Sequence, residues 1–246
     1  MMNSAGFSFA MRNSAPRTHV SFKRMLISAI AAAAVTLPAI GTAAPAAGDI
    51  YVYRLLNGYS NEPRGQLSYR VDKIDAGRVV MSVTPDTPGI GAARTEIYTN
   101  DGNWLRHTVV NHDQPTEYDF ASPYPAYQFP LEAGKSWSLR VDATNPASGQ
   151  RASVRVDAEV MGSERIRVPA GEFDTIKVRR MVYAGDAESF RKETSIQEID
   201  WYAPALGRAV RTASTSIYRD ASRSRCCQFI RGDWDIYELV ALPPAR

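Results

Sequence analysis

The acidic pair Glu198 and Asp200, in the segment SIQEIDWY, is the best candidate in this sequence for a chemically active site. Residues two apart in a strand project from the same face, and two carboxylates on a cleft can act as general acid and base in glycosidic cleavage. The other face of the segment, which includes Trp201, is not clearly apolar. Two interpretations stay open: a polar lining of a ligand site, or a solvated face of a sheet.

The tryptophans are the second candidate feature, because all four fall in predicted strands. Indole rings can stack on sugars or line a lipid cavity, and they can also simply pack a core. Trp137 and Trp201 join Glu198 and Asp200 as the candidate ligand-binding residues.

Nucleophilic and metal chemistry has little support. After residue 44 only His107 and His112 could act as a histidine base, and zinc sites usually need three or four ligands with locally paired spacing. A His–His–Asp site with Asp113 is one interpretation, and an ordinary strand histidine at His107 with a solvated loop histidine at His112 is the favoured one. Gly-x-Ser-x-Gly, His-Glu-x-x-His and Gly-x-x-x-x-Gly-Lys motifs are missing. Ser189 and Lys192 match a Ser-x-x-Lys pattern without its partner motifs. The sequence predicts no catalytic residue, metal or cofactor and favours a protein that is not an enzyme.

The N-terminal 44 residues predict a cleaved signal peptide. Lys23 and Arg24 precede an apolar run over residues 25–37, and helix-breaking and small residues follow. The run is shorter than the roughly 20 residues that a membrane-spanning helix needs. We therefore expect export to the periplasm, no transmembrane span, and a single β-rich domain over residues 45–246.

The charge balance argues against a nucleic-acid partner. The whole chain has 29 basic and 26 acidic residues, for a net charge of +3. Residues 1–44 contain four of the bases and no acid, so the mature chain carries 25 bases against 26 acids and a net charge of −1. Neutralising phosphates requires clustered Lys and Arg, which this balance does not supply.

The fold class follows from a two-residue period. In RASVRVDAEV, Ala152, Val154 and Val156 alternate with polar residues, which is typical of a half-buried antiparallel strand. Similar runs separated by Gly, Pro, Asn and Asp turns predict an all-β fold of about ten or eleven strands. So large a sheet should curl. We expect a single strongly curved antiparallel sheet or an incomplete barrel.

Two local features complete the sequence prediction. Residues 110–134 are rich in proline and aromatic residues and predict a lid or crossover loop, because consecutive prolines exclude a central strand. The adjacent Cys226 and Cys227 cannot staple a conventional disulfide scaffold. They predict a strand position beside a buried thiol, with an intermolecular disulfide or a vicinal redox pair as the alternatives.

Three segments in order carry a family resemblance: FPLEAGKSW from Phe129, VPAGEFDTIKV from Val168 and WYAPALGRAVR from Trp201. This set resembles uncharacterised secreted β-rich envelope proteins of Gram-negative bacteria. The resemblance implies a curved antiparallel sheet similar in outline to the LolA/LolB lipoprotein carriers, and it transfers no catalytic residue. The segment RVPAGEFDTIKVRR itself predicts a hairpin corner, with Pro169 and Gly171 at the second and fourth positions of a type I turn.

Together these features predict a soluble periplasmic protein of unknown specific role. Its expected partner is an apolar or envelope-derived ligand, such as a hydrophobic small molecule or a lipid, or an envelope protein. One alternative is a carboxylate-dependent hydrolase of envelope polymers. The other is an accessory subunit that docks on a membrane complex through an exposed sheet edge.

Overall fold

The structure is a computed structural model, and it describes residues 45–111, 114–185, 191–222 and 229–244. The predicted signal peptide, His112, Ser189 and the two cysteines lie outside the described residues, so the predictions made for them stay predictions. Within the described ranges, no helix is long and apolar enough to cross a membrane.

Antiparallel β-strands make up almost all of the described chain. They are β1 (Ile50–Asn57), β2 (Pro63–Asp75), β3 (Arg78–Pro85), β4 (Arg94–Thr99), β5 (Trp104–Asn111), β6 (Gln114–Tyr124), β7 (Ser136–Thr144), β8 (Arg151–Val168), β9 (Gly171–Tyr183), β10 (Arg191–Ala203), β11 (Arg208–Asp220) and β12 (Phe229–Ala241). This confirms the predicted all-β antiparallel class.

The twelve described strands close into a barrel, so the prediction of an open sheet or incomplete barrel with ten or eleven strands was wrong. Each strand pairs with its neighbours in sequence, and β1 pairs with β12 to complete the ring. Sheets of this size twist and coil, and bulges increase the local twist. Register shifts in β8 next to Gly162 and in β10 after Trp201 supply such bulges.

The missed strand is β6, which lies inside the region predicted to be a lid or loop. Pro115 stands at the start of the β5–β6 hairpin, opposite Val110. Pro123 follows the short stretch in which β6 meets β7, at Asp119 and Phe120. A proline is tolerated in a strand where no ladder hydrogen bond is required from it, and both positions meet that condition. The irregular part of the region is therefore the β6–β7 loop (residues 125–135).

Half of the barrel interior is a packed hydrophobic core. Its centre is formed by inward side chains of β8 and β9, including Val154, Val156 and Val182, each fully buried. The predicted two-residue period of RASVRVDAEV is thus confirmed. Leu139 shares the register of the buried Trp137 and Val141 in β7, but it is 43% exposed.

The segment RVPAGEFDTIKVRR forms the hairpin corner between β8 and β9, as predicted. Val168 pairs with Gly171, and the two residues between them make the turn. The Ala170 amide donates to the Leu239 carbonyl at 3.0 Å, and Phe173 packs against the second hydrophobic cluster. The corner therefore has a structural role, because its turn is tied to β12.

Candidate functional site inside the barrel

The other half of the barrel interior holds a cavity of about 230 Å³. Strands from β1 to β5 and from β9 to β12 contribute to its wall, together with the β6–β7 loop. Six tyrosines line it: Tyr51, Tyr53, Tyr69, Tyr98, Tyr127 and Tyr237. A tyrosine-rich wall presents ring faces and hydroxyls together, which suits a ligand with both apolar and polar parts.

The predicted acidic pair lies on this wall and binds a buried arginine. Arg180 in β9, whose side chain is only 1% exposed, is the direct cross-strand neighbour of Glu198 in β10. Its Nε and Nη2 donate to Glu198 Oε2 at 3.1 and 3.0 Å, and its Nη1 donates to Asp200 Oδ2 at 2.7 Å. Burial acts to lower the pKa of Arg180, but the two carboxylates raise it well above its ordinary value. The guanidinium is therefore permanently charged.

Asp200 is held through both of its oxygens. Oδ2 also accepts from the Tyr127 hydroxyl at 2.6 Å, and Oδ1 accepts from Thr212 Oγ1 at 2.8 Å. Tyr127 belongs to the β6–β7 loop, and the Ala126 carbonyl in that loop accepts from Arg180 Nη1 at 3.3 Å. The loop is thus anchored to the interior by the same charges that line the cavity.

A second buried charge cluster surrounds Glu96 in β4, which is fully buried. Arg94 Nε donates to Glu96 Oε1 at 2.7 Å, the Tyr98 hydroxyl donates to Oε2, and His107 Nδ1 lies 3.2 Å from Oε2. Burial alone would raise the pKa of Glu96, but His107 and Arg94 lower it to about 2. Glu96 is therefore an anion at neutral pH. His107 is a strand histidine in β5, and its side chain contacts this anion.

Arg208, the first residue of β11, is the third arginine of the cavity wall. Its guanidinium carbon lies 3.8 Å from the centre of the Tyr51 ring and 5.3 Å from that of Tyr53. Its Nε donates to the Tyr53 hydroxyl at 2.8 Å, and that hydroxyl donates to the Ala209 carbonyl at 2.6 Å. Tyrosine faces, rather than a carboxylate, surround this cation.

The four candidate residues from the sequence are not brought together. Glu198 and Asp200 line the cavity. Trp137 is buried in the packed half of the interior, where its Nε1 donates to the Pro125 carbonyl at 2.9 Å. Trp201 lies on the opposite face of β10, between the Lys177 and Arg211 cations, and its Nε1 donates to Glu164.

The arginines and tyrosines of the site were not predicted from the sequence, although a signal existed. Arg180 stands between Val178 and Val182 in the two-residue period, so the pattern places it on the buried face. Tyr51 and Tyr53 alternate in the same way in β1. A charged residue in an apolar register is a strong indication of an internal site, because it is buried only when it is paired.

The geometry offers limited means for hydrolysis or metal chemistry. Asp200 accepts three hydrogen bonds, and Glu198 shares the same arginine, so neither carboxylate is aimed freely at a substrate. Over residues 45–111, 114–185, 191–222 and 229–244, no group of three or more His, Cys, Asp or Glu is placed to hold a metal ion. The hydrolase hypothesis stays a prediction.

Comparison with known proteins finds only distant likeness to solved structures. No family model and no curated protein matches the chain. Among solved structures, a protein of Parabacteroides distasonis named as a candidate lipoprotein is 18% identical, with a TM-score of 0.48 over 80% of this chain and 95% of that chain. A candidate exported protein of Bacteroides fragilis with a YmcC-like fold is 16% identical, with a TM-score of 0.48 over 81% and 97%.

The hypothetical lipoprotein YmcC of Escherichia coli is 11% identical, with a TM-score of 0.42 over 79% of this chain and 85% of that chain. The names of these similar structures are those of exported proteins or lipoproteins. The three sequence motifs and the likeness to LolA/LolB stay predictions.

Proposed function

We propose that the protein is exported to the periplasm and binds a small amphipathic ligand inside its barrel. The observation that carries this proposal is the tyrosine-lined cavity of about 230 Å³. Protein interiors are normally packed to the density of organic crystals, so an interior space of this size is unusual for a purely structural core. The predicted signal peptide supports the location.

The cavity volume sets the size of the ligand. An apolar cavity of about 150 Å³ can hold benzene, and most drug-sized ligands occupy pockets of about 300 Å³ or more. A space of about 230 Å³ lies between these two limits. The space inside the barrel therefore suits one or two rings or a short chain. Of the ligands predicted from the sequence, this volume favours a hydrophobic small molecule or the short end of a lipid.

The wall chemistry sets the character of the ligand. Burial raises the pKa of Tyr69 and Tyr237, so their hydroxyls stay protonated and can donate hydrogen bonds. Their ring faces offer apolar surface next to those donors. Such a wall favours a ligand with an apolar body and a polar end over a saturated hydrocarbon.

The alternative functions draw less support from the same geometry. An accessory subunit that docks through an exposed sheet edge requires a free edge strand, and the described strands close on themselves through β1 and β12. Binding of an envelope protein by another surface stays a prediction. A carboxylate-dependent hydrolase requires accessible acids, and Glu198 and Asp200 are engaged by Arg180.

The proposal is tested by the contents of the cavity. Protein purified from the periplasm is analysed by native mass spectrometry and by solvent extraction, and a bound molecule of less than about 20 heavy atoms is expected from the volume. A cavity-filling variant, Ser214→Trp, should lose that molecule. Thr215→Trp, one residue away on the other face of β11, is the control and should retain it.

A folded protein that carries no ligand and takes up no small aromatic probe would argue for a purely structural barrel. Equal occupancy in the two tryptophan variants would place any bound molecule outside the cavity. In both cases the proposal fails.

A further inference from the structure

We infer that the ligand carries an anionic oxygen-acid group, a carboxylate or a phosphate, and that Arg208 binds it. The inference rests on the proposed function and specifies the class of ligand. It follows from a comparison of the three arginines that line the cavity, since two have acidic partners and the third does not.

Arg94 and Arg180 are neutralised inside the protein. Arg94 binds Glu96 at 2.7 Å, and Arg180 binds both Glu198 and Asp200. The charge of each of these guanidinium groups is balanced by a buried acid, so both attract an anionic ligand less than an arginine without an acidic partner does.

Arg208 differs because no carboxylate of the described residues lies within 4.0 Å of its guanidinium. Its Nε has a partner in the Tyr53 hydroxyl. Its two terminal nitrogens have no hydrogen-bond acceptor among the described side chains and backbone carbonyls. A cation that is partly buried without an anion is costly, and an anionic ligand removes that cost.

The aromatic surroundings hold the Arg208 guanidinium ready for such a ligand. The Tyr51 ring lies against it at 3.8 Å, and the Tyr53 hydroxyl fixes Nε, so the plane of the group is defined. The planar fork of arginine matches the two oxygens of a carboxylate or a phosphate, and pre-organisation reduces the entropy lost on binding. The Tyr69 ring, 5.9 Å away, extends the apolar wall beside the fork.

The distribution of charge along the wall also orients the ligand. Arg208 opens β11, whereas Thr212, the β11 residue that binds Asp200, lies four residues further along. Four residues of a strand span roughly 13 Å. The acidic end of a ligand is expected at Arg208, away from Glu198 and Asp200, with its apolar body along the tyrosines between them.

The test uses three probes that share a naphthalene body and differ in the head group: 2-naphthoate, 2-naphthyl phosphate and the neutral 2-naphthamide. Isothermal titration calorimetry at neutral pH measures their dissociation constants for the natural protein. We expect at least one anion to bind about 10- to 100-fold more tightly than the amide, as hydrogen bonds to charged groups predict. The stronger of the two anions shows whether the natural head group is a carboxylate or a phosphate.

Arg208→Gln should abolish the preference for the anion and leave the affinity for 2-naphthamide within about threefold. The matched control is Arg167→Gln, which makes the same change in net charge at a side chain that is 81% exposed on the β8–β9 corner. Circular dichroism verifies the fold of each variant. If Arg208→Gln does not fold, Arg208→Lys retains the charge without the fork and should weaken anion binding about 3- to 10-fold.

The possible outcomes separate this inference from the proposed function. Equal binding of the three probes, or a preference for the anion that persists in the Arg208 variants, overturns the inference while the cavity remains a ligand site. Failure of all three probes to bind overturns both.

Discussion

Replacing Arg180 with Met tests whether the buried charges of the cavity wall form one mutually dependent unit. The substitution keeps most of the apolar volume but removes the guanidinium, whose side chain is 1% exposed. Glu198 and Asp200 would lose their shared cation, and the Ala126 carbonyl would lose a donor. Breaking a buried ion pair in this way typically costs about 3–5 kcal/mol.

That loss should be visible in thermal unfolding. For a domain of this size, 1 kcal/mol corresponds to roughly 2–4 °C in Tm, so Arg180→Met should melt roughly 6–20 °C lower at neutral pH. The control is Arg179→Met, one residue away on the outer face, where the ion pair with Glu159 has side chains that are 42% and 44% exposed. An exposed pair of this kind contributes at most about 1 kcal/mol.

Equal melting of the two methionine variants would refute this interpretation of the buried charges.

Two further predictions concern single buried side chains. The pKa of Glu96 is lowered from 4.5 to about 2, so its contribution to the free energy of unfolding is complete above about pH 4.5 and is lost as the pH falls to about 2. Over that range, urea titrations should show a free energy of unfolding that falls by about 3 kcal/mol more in the natural protein than in Glu96→Gln. Similar pH profiles of the two proteins would contradict this prediction. The Tyr124 hydroxyl is buried with no partner among the described residues. Tyr124→Phe should therefore leave the free energy of unfolding unchanged or raise it by about 1 kcal/mol, and a clear loss in chemical denaturation would contradict this.

The two-residue period of the sequence predicted the strands well, because the alternation of apolar and polar residues is visible within the few residues of each strand. Val154 and Val156 show this, since their burial can be inferred from a few neighbouring residues. Closure of the barrel could not be inferred in this way, because it depends on the register between β1 and β12, which are far apart in the chain. The strand β6 was missed because the effect of Pro115 depends on which ladder positions remain unpaired.

The candidate site was predicted in part, through Glu198 and Asp200. Arg180 was not predicted, because a basic residue was assumed to face solvent. Arg208 follows a turn and has no alternation on its N-terminal side, so only the folded structure shows that it points to the tyrosines. Trp137 belongs to the packed half of the interior, and Trp201 lies on the opposite face of β10 from Asp200, so neither lines the cavity. Their assignment as ligand-binding residues stays a prediction.

The short pairing between β6 and β7 has a consequence for the motion of the barrel. The two strands pair at Asp119–Thr144 and Phe120–Ala143, whereas β8 and β9 pair along nearly their whole length. A barrel opens most easily where the fewest ladder hydrogen bonds must break, because those bonds and the packing around them set the free energy of local opening. Two residue pairs also join β4 and β5, at Ile97–Arg106 and Tyr98–Trp104. We therefore expect the ring to open first at these two junctions, and backbone amides beside them should exchange with solvent sooner than those of β8 and β9.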